Sequence, residues 1–149
     1  MAGEARWRLD VRVRGADGPD QPPEKATGTE TVRSIGGLWI VGEGKGQMPD
    51  GSPATMILTL GYDPQKERFV GTWIGSMMTN LWGYEGELDP AERVLTLNTE
   101  GPNMAGDGTA KYQETIEVIS DDHRVFKSRV LGDDGQWREF MTSHYRRSR

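Results

Sequence analysis

The sequence predicts an all-β fold, a single antiparallel up-and-down β-barrel of about ten strands, and three observations predict it. Apolar and polar residues alternate with period two: ARWRLDVRVR sets Trp7, Leu9, Val11 and Val13 against Arg6, Arg8, Asp10, Arg12 and Arg14. Short turns rich in Asp, Pro and Gly separate such segments in LGYDPQKERFVGTWIGSMM, GELDPAERVLTLN, VISDDHRVFKSRV and LGDDGQWREFMTSHY. The chain also carries 20 glycines in 149 residues and no helical run, which suits the turns and bulges of a strongly curved sheet.

The strands follow in order. The alternation around Trp7 to Val13 is the first, and GADGPDQPP, Gly15 to Pro23, is a loop by composition. A second strand covers about Lys25 to Ser34, with Thr27, Thr29 and Thr31 on one face; Gly36 and Gly37 then connect it to LWIVGEGKG. Met48 to Pro53 is a turn before the strand ATMILTLGY. Further strands are expected at about Arg68 to Ser76, Thr79 to Leu88, Arg93 to Thr99, Lys111 to Ser120, Arg124 to Leu131 and Trp137 to Arg146. EGPNMAGDGTA, Glu100 to Ala110, is the one long connection and the candidate for a mobile loop at a barrel mouth.

Composition bounds the function classes. A chain of 149 residues suits one domain, over 1–149, and its apolar fraction rises from 34% to about 48% once glycine is counted, inside the globular range. Without cysteine, disulfides and thiolate metal sites are excluded. MAGEARWRLD holds no apolar leader and no run of 18 apolar residues occurs, so a cytoplasmic protein with no membrane partner is expected. The net charge of −5 argues against a nucleic-acid partner. The arginines of the first strand and of the tail Arg146, Arg147, Arg149 read as solvated surface.

GGLWIVGEG, TLGYDPQKERFVGTW, SMMT, YEGELD, LTLNTEGP and the closing FMTSHYRR, in that order, resemble the bacterial family of domain of unknown function 1579, from about Pro19 onward. The resemblance implies a lipocalin-like barrel of the calycin type and brings no activity, cofactor or substrate with it. Members of the family usually begin with a short helix before the first tryptophan strand, whereas six residues precede Trp7 here. One barrel end is then expected to be open, covered by a loop, or covered by another subunit in a homodimer.

Strand phase assigns the interior. Glu85 and Glu87 mark an outer face, which turns Asn80, Trp82 and Tyr84 inward. Lys111, Gln113, Thr115 and Glu117 do the same for Tyr112, Glu114, Ile116 and Val118. Arg138 and Arg146 on the last strand send Trp137, Glu139, Met141, Ser143 and Tyr145 inward, and Phe69, Trp73 and Met77 join from the fifth strand. One bulge would invert every residue downstream of it.

Aromatic side chains with a few placed polar groups suit a pocket for a small apolar or amphipathic molecule. Trp73, Asn80, Trp82, Tyr84, Tyr112, Glu114, Glu139 and Met141 are the expected lining. The alternative is an isomerase or cyclase with Glu114 as acid or base and Tyr84 or Tyr112 as donor, since a desolvated carboxyl titrates nearer neutrality. A third reading is a filled barrel acting through its surface as a dimeric module, in which Glu114 and Glu139 only accept hydrogen bonds; a cavity above about 300 Å³ would count against it.

No nucleophile and base stand at recognisable spacing, and no helix follows GEGKG to make a phosphate loop. His123 lies in the turn SDDHR and is expected in solvent, while His144 shares an outer face with Arg138 and Arg146. With no inward histidine, no cysteine and no histidine pair, neither a haem nor a zinc or non-haem iron site is expected, and no cofactor.

Overall fold

The computed structural model describes residues 4–13, 24–48 and 50–148. The loop expected at Gly15 to Pro23 lies outside the described residues.

Ten strands follow one another: β1 (Ala5–Val13), β2 (Glu24–Ile35), β3 (Trp39–Gln47), β4 (Pro53–Asp63), β5 (Arg68–Gly75), β6 (Trp82–Leu88), β7 (Val94–Pro102), β8 (Thr109–Ser120), β9 (His123–Leu131) and β10 (Trp137–Arg147). Each pairs antiparallel with its neighbours in sequence, and β1 pairs with β10, so the sheet closes into an up-and-down barrel. Closure gives every described strand two partners and leaves no edge.

The turns explain the register. In DPQKE, Asp63 Oδ1 accepts the Gln65 N–H at 2.9 Å and Glu67 takes φ of 53°. In DPAER, Asp89 Oδ1 accepts the Arg93 and Val94 N–H groups at 2.8 and 3.0 Å and Glu92 takes φ of 58°. Both are Asp-Pro turns whose aspartate satisfies the backbone and whose glutamate makes the left-handed step.

Two expected boundaries change. The loop read as Glu100 to Ala110 is shorter, because Glu100 pairs with Lys111, Gly101 with Ala110 and Pro102 with Thr109, and only residues 103–108 turn. The strand expected from Thr79 begins at Trp82, whose indole N–H reaches back to Met78 Sδ at 3.1 Å.

Leu60, Tyr84, Leu95 and Leu97 form the buried cluster, with Leu58, Phe69, Trp73, Trp82 and Ile116 packed against it. Inward side chains such as Trp73, Trp82, Phe126, Met141 and Tyr145 are only half-buried.

Glycines make the room. Gly42 and Gly44 of GEGKG face inward from β3, where a Cβ would come within 2.9 Å of the Glu30 carboxylate and 3.1 Å of the Met56 methyl. The segment that resembles a phosphate loop by composition is thus a strand that yields interior space to its neighbours' side chains.

The connections alternate between two ends. At the end holding the β2–β3, β4–β5, β6–β7 and β8–β9 turns, an apolar rim is exposed: Ile35, Leu38, Tyr62, Leu88, Val118 and Ile119. Val118 keeps its inward phase beside Arg124 but sits at this rim, 45% exposed, next to a register shift before Ser120.

Candidate functional site

Two polar clusters stand inside the barrel. In the first, Glu114 on β8 accepts hydrogen bonds on both oxygens, from Tyr84 Oη at 3.2 Å and from Ser128 Oγ. Ser128 is 2% exposed and Tyr84 5%. Burial pushes the Glu114 carboxyl above its ordinary range, and the two hydroxyl donors pull it only part of the way back. Burial and then the adjacent Glu114 raise the Tyr84 phenol in turn.

The second cluster is absent from the sequence reading. Glu30 on β2 forms an ion pair with Arg124 on β9; the Glu30 side chain is buried and that of Arg124 half-buried. The guanidinium lies 4.5 Å from the Trp7 ring centroid and 4.3 Å from that of Tyr145, between two aromatic faces. Burial raises the Glu30 carboxyl, with Arg124 opposing. It also raises the Tyr145 phenol, which feels Glu30 and Glu114 and so links the clusters. The signal was present in the sequence. Threonines 27, 29 and 31 on the outside put Glu30 on the inside, and Lys127 with Arg129 outside put Arg124, Phe126 and Ser128 inside.

Toward the opposite end the lining is aromatic. Trp82 meets Tyr112 edge to face at 5.1 Å, Tyr112 meets Phe140 at 6.0 Å, and Trp73 is the register partner of Trp82. The Trp82 ring lies against Gly101, where a Cβ would come within 2.3 Å of it. Tyr112 donates its hydroxyl to the Pro102 carbonyl at 2.5 Å. Asn80 Nδ2 and Thr99 Oγ1 are buried without a hydrogen-bond partner among the described residues.

The structure therefore brings Trp73, Trp82, Tyr84, Tyr112, Glu114 and Met141 together along the barrel's inner wall, with Asn80 just ahead of β6. Glu139 is corrected. A register shift between Glu139 and Met141 inserts Phe140 into β10. Downstream, Met141, Ser143 and Tyr145 face inward; upstream, the parity reverses. Glu139 pairs with outward Arg129 and is exposed, accepting from Thr142 Oγ1 at 2.7 Å, while Trp137 stacks outside against Arg129 at 5.0 Å. The second interior carboxylate is Glu30.

His123 also departs from expectation. It is half-buried, its Nε2 2.9 Å from Nδ1 of His144 on the outer face. Two concavities lie elsewhere: about 390 Å³ at the rim beside Met48, Pro53 and Met77, and about 470 Å³ on the outer face around Gly86. Neither is enclosed by the barrel wall, so their volumes do not decide whether the interior is filled.

A closed ten-stranded barrel with a polar, aromatic lining defines the class: an all-β up-and-down barrel of lipocalin-like build. The chain belongs to the DUF1579 family, described as a protein of unknown function, whose model matches residues 1–147. Among solved structures, the crystal structure of Rv2717c from M. tuberculosis is similar at a TM-score of 0.58 and 10% identity, covering 97% of this chain and 91% of that one. A redesigned β-barrel, mFAP0, bound to DFHBI, gives a TM-score of 0.47 at 14% identity, with 95% of each chain covered. That looser likeness says nothing about this interior. No curated protein matches.

Proposed function

We propose that this protein is a container that binds one small, neutral, apolar or amphipathic molecule among Trp73, Trp82, Tyr84, Tyr112 and Met141. The observation that carries the reading is the half-burial of inward aromatic and methionine side chains around polar clusters that satisfy each other. Apolar surface left accessible inside a barrel supplies affinity. The charge balance supports a neutral guest, because Arg124 is committed to Glu30 and leaves no free inward cation for an anion among the described residues.

The same reading takes residues 1–149 as one calycin-type domain in the cytoplasm, with a homodimer seated on the exposed rim of Leu38 and its neighbours. No helix among the described residues is long and apolar enough to cross a membrane.

Native mass spectrometry of the protein as purified, beside a denatured control, tests the proposal. A mass excess lost on denaturation supports a container. A clean apo mass followed by no tryptophan quenching across a metabolite library defeats it.

A second reading, an isomerase or cyclase with Glu114 as acid or base, is favoured by the raised carboxyl beside Tyr84. It is weakened because both Glu114 oxygens are already occupied. Glu114→Gln separates the two, since an enzyme keeps its substrate and loses turnover whereas a binder changes only in affinity.

A further inference from the structure

His123 opens β9 and His144 lies on β10, 21 residues later, and both project from the outer face of the barrel. Nε2 of His123 stands 2.9 Å from Nδ1 of His144, with ring centroids 5.2 Å apart and planes 27° from parallel. The N···N contact plus two ring radii accounts for the whole centroid separation. The imidazoles therefore meet edge to edge and nearly coplanar, ring nitrogen toward ring nitrogen, and not face to face. One of the two nitrogens carries the bridging proton and the other accepts it.

We propose that His123 Nε2 and His144 Nδ1 form a chelating site for a divalent transition cation that favours imidazole, such as zinc, nickel or copper. Two imidazoles on neighbouring strands bring a pair of ring nitrogens within 2.9 Å of each other, and imidazole is the ligand that such cations favour. Metal–nitrogen bonds of about 2.0–2.1 Å at a tetrahedral angle place the two nitrogens about 3.3–3.4 Å apart. The pair must open by about half an ångström, and each ring must tip by about 35° so that its lone pair leaves the N···N line and points at the metal, which side-chain rotation about χ1 and χ2 supplies. Whichever ring holds the bridging proton passes it through solvent to its own outer nitrogen. Both facing nitrogens then present lone pairs, and the protein loses no proton.

The surroundings fit a partly open surface site. Val125, the register partner of His144, is 6% exposed and forms an apolar floor beside the rings. Asp10 on β1 faces His144 across the ladder. Its side chain is 66% exposed and meets Arg146 at 3.8 Å; no three-ligand group stands ready among the described residues, so Asp10 must rotate to become a third ligand, with water completing the shell. Arg146 and Arg12 share the patch and oppose a cation, which limits affinity.

The test is calorimetric titration of the metal-free protein with Zn²⁺, Ni²⁺ and Cu²⁺. The expected result is one equivalent bound per chain, lost in His123→Ala and in His144→Ala and weakened in Asp10→Asn, with unchanged far-UV circular dichroism. Absence of saturable binding for all three metals overturns the proposal, as does one-equivalent binding that survives both histidine substitutions. If a variant unfolds, histidine ring ¹⁵N shifts of the native chain decide. Zn²⁺ must move His123 Nε2 and His144 Nδ1, and unmoved signals overturn the site.

Discussion

Arg124 reaches Glu30 across the barrel interior, over two intervening strands and 94 residues of sequence, with its guanidinium between the rings of Trp7 and Tyr145. The contact ties β2 to β9 over β1 and β10, where the chain's two ends close the sheet. A largely buried pair of this kind is costly to break from one side, because removing Arg124 leaves the buried Glu30 as an uncompensated charge.

Arg124→Met is accordingly expected to destabilise by about 3–5 kcal/mol in urea unfolding. Glu30→Gln with Arg124→Met should recover much of that loss, since no buried charge remains. A double variant as unstable as the single one would show that Arg124 acts through its ring contacts instead.

Glu114 predicts a pH dependence. Its carboxyl is raised in the folded state, so folding favours the protonated form. The group's contribution is fully present below the unfolded carboxylate range and is lost as pH rises through the folded value. Glu114→Gln, which cannot ionise, should therefore be least damaging, relative to the native chain, near pH 7 and most damaging near pH 4. Parallel thermal melts across that range check the sign.

Position 139 separates the sequence reading from the structure. Glu139→Ala is expected to change stability by no more than about 0.5 kcal/mol, as an exposed side chain does. Phe140→Ala should cost at least about 1.5 kcal/mol through lost apolar burial against Tyr112. Chemical denaturation of both variants would reverse the assignment if Glu139 proved the costlier.

Gly101→Ala forces the Trp82 indole off its seat. A loss of about 1–3 kcal/mol from overpacking is expected, with a shift in tryptophan emission as the ring moves. An unchanged spectrum and midpoint would place the ring elsewhere.

Leu38 is 75% exposed at the apolar rim. If a second copy seats there, Leu38→Glu converts a dimer to a monomer in light scattering while the melting temperature of the barrel holds. A native chain that scatters as a monomer at tens of micromolar removes the dimer.

The amino-acid sequence by itself determined the strands, their number and the inward phase of β6 and β8. Period-two alternation and Asp-Pro turns act over a few residues and need no partner to be read. Trp82, Tyr84, Tyr112 and Glu114 face inward for that local reason. Tertiary structure decided the rest. The bulge at Phe140 arises from pairing with β9, so Glu139 turned outward although its own strand gave no sign of it. Arg124 found Glu30 because closing the barrel sets distant residues side by side, and His123 found His144 through the register of the β9–β10 hairpin; alternation records the face a residue occupies but never its partner.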